Sequence, residues 1–299
     1  VGTWKVEDGV SMSQSASTVS YGGTFAAKAA TFNLNGKTLV LNGPTSFTGT
    51  TIDSGLVQTK AATTVAGLTL GGAVSWNNYA TVTETGSVTI GDASGSAATI
   101  TNRTGATYDL AGDVGITPEM GGGSFTNSGM LAKTIGSGTS VIGLSMSNAA
   151  GTVEADSGTL DVQKAISGSG GSLNVKNGAS LELDGSVSAG QQVNFSGTGS
   201  TLALTNASAF NAPIAGFATS DFLDLTTFDP TQTTVAFTEN AANTQGTLVV
   251  KEGATCISFT LLGQYAAAGF QTEPDSGAGT NIFYTPPAGS DPLFTTPHG

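Results

Sequence analysis

The sequence predicts an all-β chain: a right-handed parallel β-helix, or solenoid, closed by a Phe-rich C-terminal β cap. Three observations carry that expectation. First, 43 glycines, 46 threonines and 31 serines make up 120 of the 299 residues, while only 10% are charged. The helix formers Glu, Lys, Arg and Met are therefore scarce, which excludes a helical bundle and argues against a doubly wound nucleotide fold. Second, short apolar alternations recur between turn formers, as in Phe32-Asn33-Leu34, Leu39-Val40-Leu41, Leu68-Thr69-Leu70, Val88-Thr89-Ile90 and Leu202-Ala203-Leu204. Runs this short, bounded by Gly, Asn, Asp and Ser, are strand signals. Third, like residues return at a spacing in the low twenties: Asn127 to Asn148, Leu181 to Leu202 and, more loosely, Asn102 to Asn127. One coil of a β-helix needs a period of that size.

Taken in order, the chain opens in Gly2-Thr3-Trp4-Lys5-Val6, which already reads as strand. No leader pattern stands at Val1, so the expectation is a mature or excised segment of something longer. Residues 1–206 are expected to form the coils. The segments Asn33–Gly43 and Asn174–Gly185 both read strand, Asn-Gly turn, strand, turn. In a coil, Asn-Gly suits the corners, where φ turns positive. The same dipeptide favours hairpins, so an antiparallel sandwich is the alternative architecture. Beyond about residue 205 the composition shifts, and nine of the 14 phenylalanines follow, from Phe210 to Phe294. Bulky aromatics suit the closing of an open solenoid end, so 207–285 is expected to be the cap. Its longer strands are placed at Gly246–Lys251 and Ile257–Leu262. Residues 286–299 hold four prolines and read as a tail or linker.

Charge excludes several function classes. Nine Lys plus Arg face 21 Asp plus Glu, a net charge of −12, and Arg103 is the only arginine. No basic patch exists in sequence to release counterions from a phosphate backbone, so no nucleic-acid partner is expected. No apolar run reaches the length of a spanning helix, so no membrane insertion of this segment is expected. Cys256 is the only cysteine, which excludes a disulfide within the chain. It alternates with Ile257, Phe259 and Leu261 and so falls on the Ser258 and Thr260 face. Asn102-Arg103-Thr104 and Asn206-Ala207-Ser208 match the glycosylation sequon, a match this composition produces by chance.

Parts of the second half resemble a known family. Asp161–Gly185, Val187–Phe195 and Leu202–Leu204 are similar to the β-strand repeats of large secreted proteins of Gram-negative bacteria. Ile214-Ala215-Gly216-Phe217, continuing to Asp221-Phe222-Leu223-Asp224-Leu225, resembles the stretch that follows such repeats, and Leu261–Phe270 with Asp275–Thr280 resembles their closing segment. The resemblance implies an extracellular or cell-surface, adhesin-like or biofilm-matrix structural protein, exported by an autotransporter or type I route. The resemblance identifies no ligand; for a structural and adhesive rod, polysaccharide, a host surface or other copies of the chain are the expected partners. The calcium-binding nonapeptide of such proteins is absent, since Gly168-Ser169-Gly170-Gly171-Ser172-Leu173 lacks its aspartate.

Catalysis has few residues to build on, and no catalytic or cofactor-binding residue is assigned. His298 is the only histidine, one residue from the end, and phosphate loops and zinc sites lack their residues. The alternative function is a polysaccharide-degrading β-helix enzyme using carboxylates on a lateral face. Its candidates are Glu154, Asp156 and Asp161, with Glu182 and Asp184 flanking an inward Leu183. A solvated acidic face is the plainer reading of the same residues. Asp221, Asp224 and Asp229 are the candidate Ca²⁺ ligands, against the commoner role of aspartates in capping their own turns. No other metal is expected. Among the aromatics Trp4, Trp76, Tyr79 and Tyr108, the patch Trp76-Asn77-Asn78-Tyr79 is the candidate sugar platform, against ordinary packing.

Overall fold

The computed structural model describes residues 2–92 and 95–288. Of these described residues 59% are strand and 2% helix, and they wind into a β-solenoid of about 11 turns. His298 and most of the expected tail, 289–299, lie outside the described residues, as does Val1.

A typical coil consists of three short strands, Met130–Ile135, Thr139–Ile142 and Ser145–Asn148. The next coil repeats them as Thr152–Ala155, Thr159–Val162 and Ile166–Ser167, each parallel to its predecessor. The parallel register rules out the sandwich. Coil length varies: Thr45 pairs with Thr63, 18 residues on, whereas Thr81 pairs with Thr107, 26 residues on. The extra residues are absorbed at corners, so the strands keep their faces. The recurrences seen in sequence are register partners: Asn102 with Asn127, Asn127 with Asn148, and Leu181 with Leu202. At Asn35-Gly36 and Asn177-Gly178 all four residues have positive φ, from 47° to 79°, which turns the chain sharply without a hairpin.

Strand alternation sends every second side chain into the tube. Leu160, Leu181, Leu202 and Leu223 stack on successive rungs, as do Val162, Leu183, Leu204 and Leu225. All are essentially fully buried, each contributing about 2 kcal/mol by area. An aromatic column fills the first half, from Trp4 through Phe25, Phe47, Trp76 and Tyr108 to Phe125, with successive ring centroids 5.0–6.4 Å apart. A buried amide ladder runs along one corner. Asn78, Asn102 and Asn127 each donate Nδ2 to the Oδ1 of the next asparagine at 2.9 Å, and Asn148 donates to Gln191 Oε1 at 2.8 Å. Each of these amides also bonds to backbone carbonyls, such as those of Thr107, Met130 and Thr152. The turns thereby satisfy polar groups that burial would otherwise leave bare.

The parallel register continues beyond residue 206, through Ile214–Ala215 and Phe222–Leu225. The pairing then turns antiparallel. Thr233–Glu239, Gln245–Glu252 and Thr255–Leu262 form a meander whose last strand pairs with Ile214–Ala215. The hairpin of Phe270–Pro274 and Thr280–Tyr284 covers the edge of Phe222–Leu225. Phe237, Tyr265, Phe270 and Tyr284 pack together beneath it, with centroids 4.9–5.7 Å apart. Thr3–Val6, Ser11–Ser13 and Thr18–Tyr21 each pair, among the described residues, along one edge only. Between them lies a cavity of about 180 Å³ lined by Trp4, Met12, Val19, Phe32 and Leu39.

Candidate functional site

The acidic candidates separate into two groups that the fold treats differently. Glu154 and Asp156 share one cation. Lys176 Nζ lies 2.6 Å from Glu154 Oε1 and 3.5 Å from Asp156 Oδ1, and Asn174 Nδ2 donates to Glu154 Oε2 at 3.1 Å. Burial acts to raise the Glu154 carboxyl, but Lys176 and Asn174 outweigh it and hold the group below its ordinary range. Asp156 is pushed up, first by burial and then by the neighbouring Glu154 charge.

The second group has no cation among its described partners. Asp161, Glu182, Ala203 and Asp224 are successive register partners on one outward column. Asp184, two residues beyond Glu182, is bonded by the Thr205 hydroxyl at 2.6 Å. Asp161 is only 7% exposed; its Oδ2 accepts from Gln163, while its Oδ1 has no partner. Asp224 Oδ1 is likewise buried without a partner. Burial and the surrounding negative charges raise all three carboxyls of this column. Asp224 reaches about 6, through burial and then Asp275 on the cap. The sequence placed Glu182 and Asp184 on the outer face correctly. Asp224 joins them because the coil ending at Leu225 repeats the register.

Asp224 is thus parted from its expected companions. Asp221 turns inward, 1% exposed, and accepts the Ser200 and Ala218 amides at 3.1 and 3.0 Å. Burial raises its carboxyl despite those bonds. Asp229 caps its own turn through Thr231 and Gln232, whose bonds hold it below its ordinary value. Among the described residues, no three His, Cys, Asp or Glu side chains are gathered to hold a metal ion.

The aromatic patch is split as well. Trp76 and Tyr108 point into the tube, Trp76 bonding Thr59 Oγ1 at 3.0 Å, so neither offers a face to a sugar. Trp4 is partly buried against Tyr21 and Phe25. Tyr79 is outside, 43% exposed, with Lys60 and Arg103 near its ring. Asn102 is fully buried in the amide ladder and is no glycosylation acceptor, whereas Asn206 is exposed. Cys256 is free and exposed.

Two buried ionisable groups escaped the sequence reading. Glu84 lies inside the tube between Val65 and Leu110 and takes a 2.6 Å bond from the Tyr108 hydroxyl. Burial pushes its carboxyl up to about 8, an effect that Tyr108 and the Val88 backbone only partly offset. Lys133, between Leu110 and Ala155, uses its three protons on Gly112 O, Ile135 O and Asp113 Oδ1 at 2.8–3.1 Å. Both occupy inward positions of an alternation that a periodicity count would have flagged. Compared with known proteins, the chain matches no protein-family model and no curated protein.

Proposed function

We propose that this chain is a structural and adhesive β-solenoid of an extracellular or bacterial surface protein, a stiff rod that presents its flanks to a polysaccharide, a host surface or other copies of itself. The observation that supports this is continuity: about 11 coils bonded rung to rung, with internal amide and aromatic columns and a cap at one end. Such a ladder resists bending and leaves little backbone open to proteases. The likeness to secreted bacterial repeat proteins supports the extracellular assignment and export by an autotransporter or type I route.

A second reading, glycan hydrolysis, is favoured by the convergence of Asp161, Glu182 and Asp224 from neighbouring coils. Glu182 and Asp224 stand two rungs apart, roughly 10 Å between backbones, with the small Ala203 between them. A carboxyl near 6 is suited to donate a proton to a leaving group. Incubation with bacterial, plant and host polysaccharides, with and without Ca²⁺, separates the readings. Retention without new chain ends supports the adhesive solenoid. New chain ends that disappear in Asp224→Asn and Glu182→Gln overturn it in favour of hydrolysis.

A further inference from the structure

The corner that follows the amide ladder stacks one outward position per coil. The backbone N–H groups of Asn42, Lys60, Tyr79, Arg103 and Ser128 bond to Tyr21, Leu41, Thr59, Asn78 and Asn102 carbonyls respectively, so these residues rise in a single column. At three consecutive rungs the column carries Lys60, Tyr79 and Arg103, all exposed. Lys60 Nζ lies 5.7 Å from the Tyr79 ring centroid and the Arg103 guanidinium 5.6 Å from it. Arg103 Nη2 donates to Asn77 Oδ1 at 3.1 Å, which fixes the fork of the chain's only arginine. Among the described residues neither cation is ion-paired with a carboxylate; the three such pairs present involve Lys133 and Lys176.

We propose that Lys60, Tyr79 and Arg103 form a binding site for an acidic polysaccharide, a uronate-bearing glycan. Of the 30 charged side chains 21 are acidic, yet here two unpaired cations are held two rungs apart, roughly 10 Å, by one aromatic ring. Holding them in place beforehand lowers the ordering cost of binding. The Arg103 fork matches a carboxylate with two parallel bonds, and Lys60 supplies a point charge for the next one. The intervening sugar would lie along the exposed edge and hydroxyl of Tyr79, beside the outward side chains of Gln58 and Thr101 on the flanking strands. Charge spacing selects the ligand. A polymer with a carboxylate on every second sugar presents isolated charges, whereas duplex DNA carries one per about 1.7 Å of axis and would meet the −12 surface along its whole length.

This inference rests on the adhesive reading and names a ligand class for it. The test is retention and titration calorimetry of the full chain with hyaluronan, dextran, dextran sulfate and duplex DNA, at low salt and at 150 mM. Hyaluronan should bind, and binding should fall at least tenfold in Lys60→Gln/Arg103→Gln. Arg103→Lys, which keeps charge but not the fork, should lose affinity too, and Tyr79→Leu should weaken binding while leaving the charge intact. Melting temperatures of the variants should match that of the parent, since all three side chains are exposed. The inference is overturned if hyaluronan is not retained, if the double variant binds it equally well, or if DNA or dextran sulfate binds as tightly through the same residues. Retention of dextran alone would sink it while leaving the adhesive reading standing.

Discussion

Glu84→Gln should abolish one component of the chain's pH dependence. The side chain is fully buried and bonded to Tyr108, and its carboxyl titrates near 8 rather than 4.5. Between those values the folded chain holds a proton that the unfolded chain has released, so stability falls as pH rises. The slope is about 1.4 kcal/mol per unit, giving roughly 3 kcal/mol between pH 5 and 7 for this group alone. Below about 4.5 both states are protonated, and above about 8 both are ionised, so the slope vanishes outside that window. The amide introduced by the substitution keeps an acceptor for the Tyr108 hydroxyl at similar volume and cannot titrate. Thermal melts of parent and variant from pH 4 to 9, compared as a difference, cancel the other carboxylates. The parent should lose ground to the variant steadily from pH 5 to 8. Parallel curves would refute the reasoning, because they would mean that Glu84 is ionised or solvated in the folded chain.

Further outcomes follow from the other buried polar groups. Asn127→Leu leaves one Asn102 Nδ2 proton and the Asn148 Oδ1 acceptor without partners, costing about 2–4 kcal/mol, and hydrogen exchange should rise in the coils on both sides. Gly171→Ala would put a Cβ 2.2 Å from Gln191 Oε1 and 2.4 Å from Asn148 Nδ2, so it should lower the melting temperature by displacing the end of the ladder. Asp224→Asn should stabilise the chain at pH 7 by about 1 kcal/mol, after allowance for solvent screening of a half-exposed group, because its raised carboxyl carries a charge there that burial disfavours. That gain should disappear below about pH 4, where the parent's carboxyl is also neutral.

The solenoid was legible because its signals are local and repeated. Asn127 and Asn148 are alike because they occupy one corner of consecutive coils, and Leu181 and Leu202 because they occupy one inward column. Glu182 and Asp184 were legible as outward residues from the Leu181 and Leu183 alternation. What escaped depends on coil lengths that the sequence does not announce. Proximity in the chain groups Asp224 with Asp221 and Asp229, yet Phe222–Leu225 is one more rung and alternation turns Asp221 the other way. Glu84 and Lys133 stand in phase with the inward Val82 and Leu131, but charge normally marks a surface residue and so masks that signal; each is tolerated inside by specific partners, Tyr108 in one case and two carbonyls with Asp113 in the other. Tyr79 reads as part of a patch with Trp76, but three residues along a strand and its corner separate an inward ring from an outward one.

Disulfide trapping tests the coil-on-coil register most directly. Thr126 and Ser147 are outward register partners on adjacent parallel strands, about 4.8 Å apart, which a disulfide spans without distortion. Ser145 is offset by two residues and lies roughly 8 Å from Thr126, too far to bridge. With Cys256→Ser as background, Thr126→Cys/Ser147→Cys should oxidise rapidly and completely under native conditions, and Thr126→Cys/Ser145→Cys should stay reduced. Cross-linking of the offset pair, or of neither, would contradict the parallel solenoid.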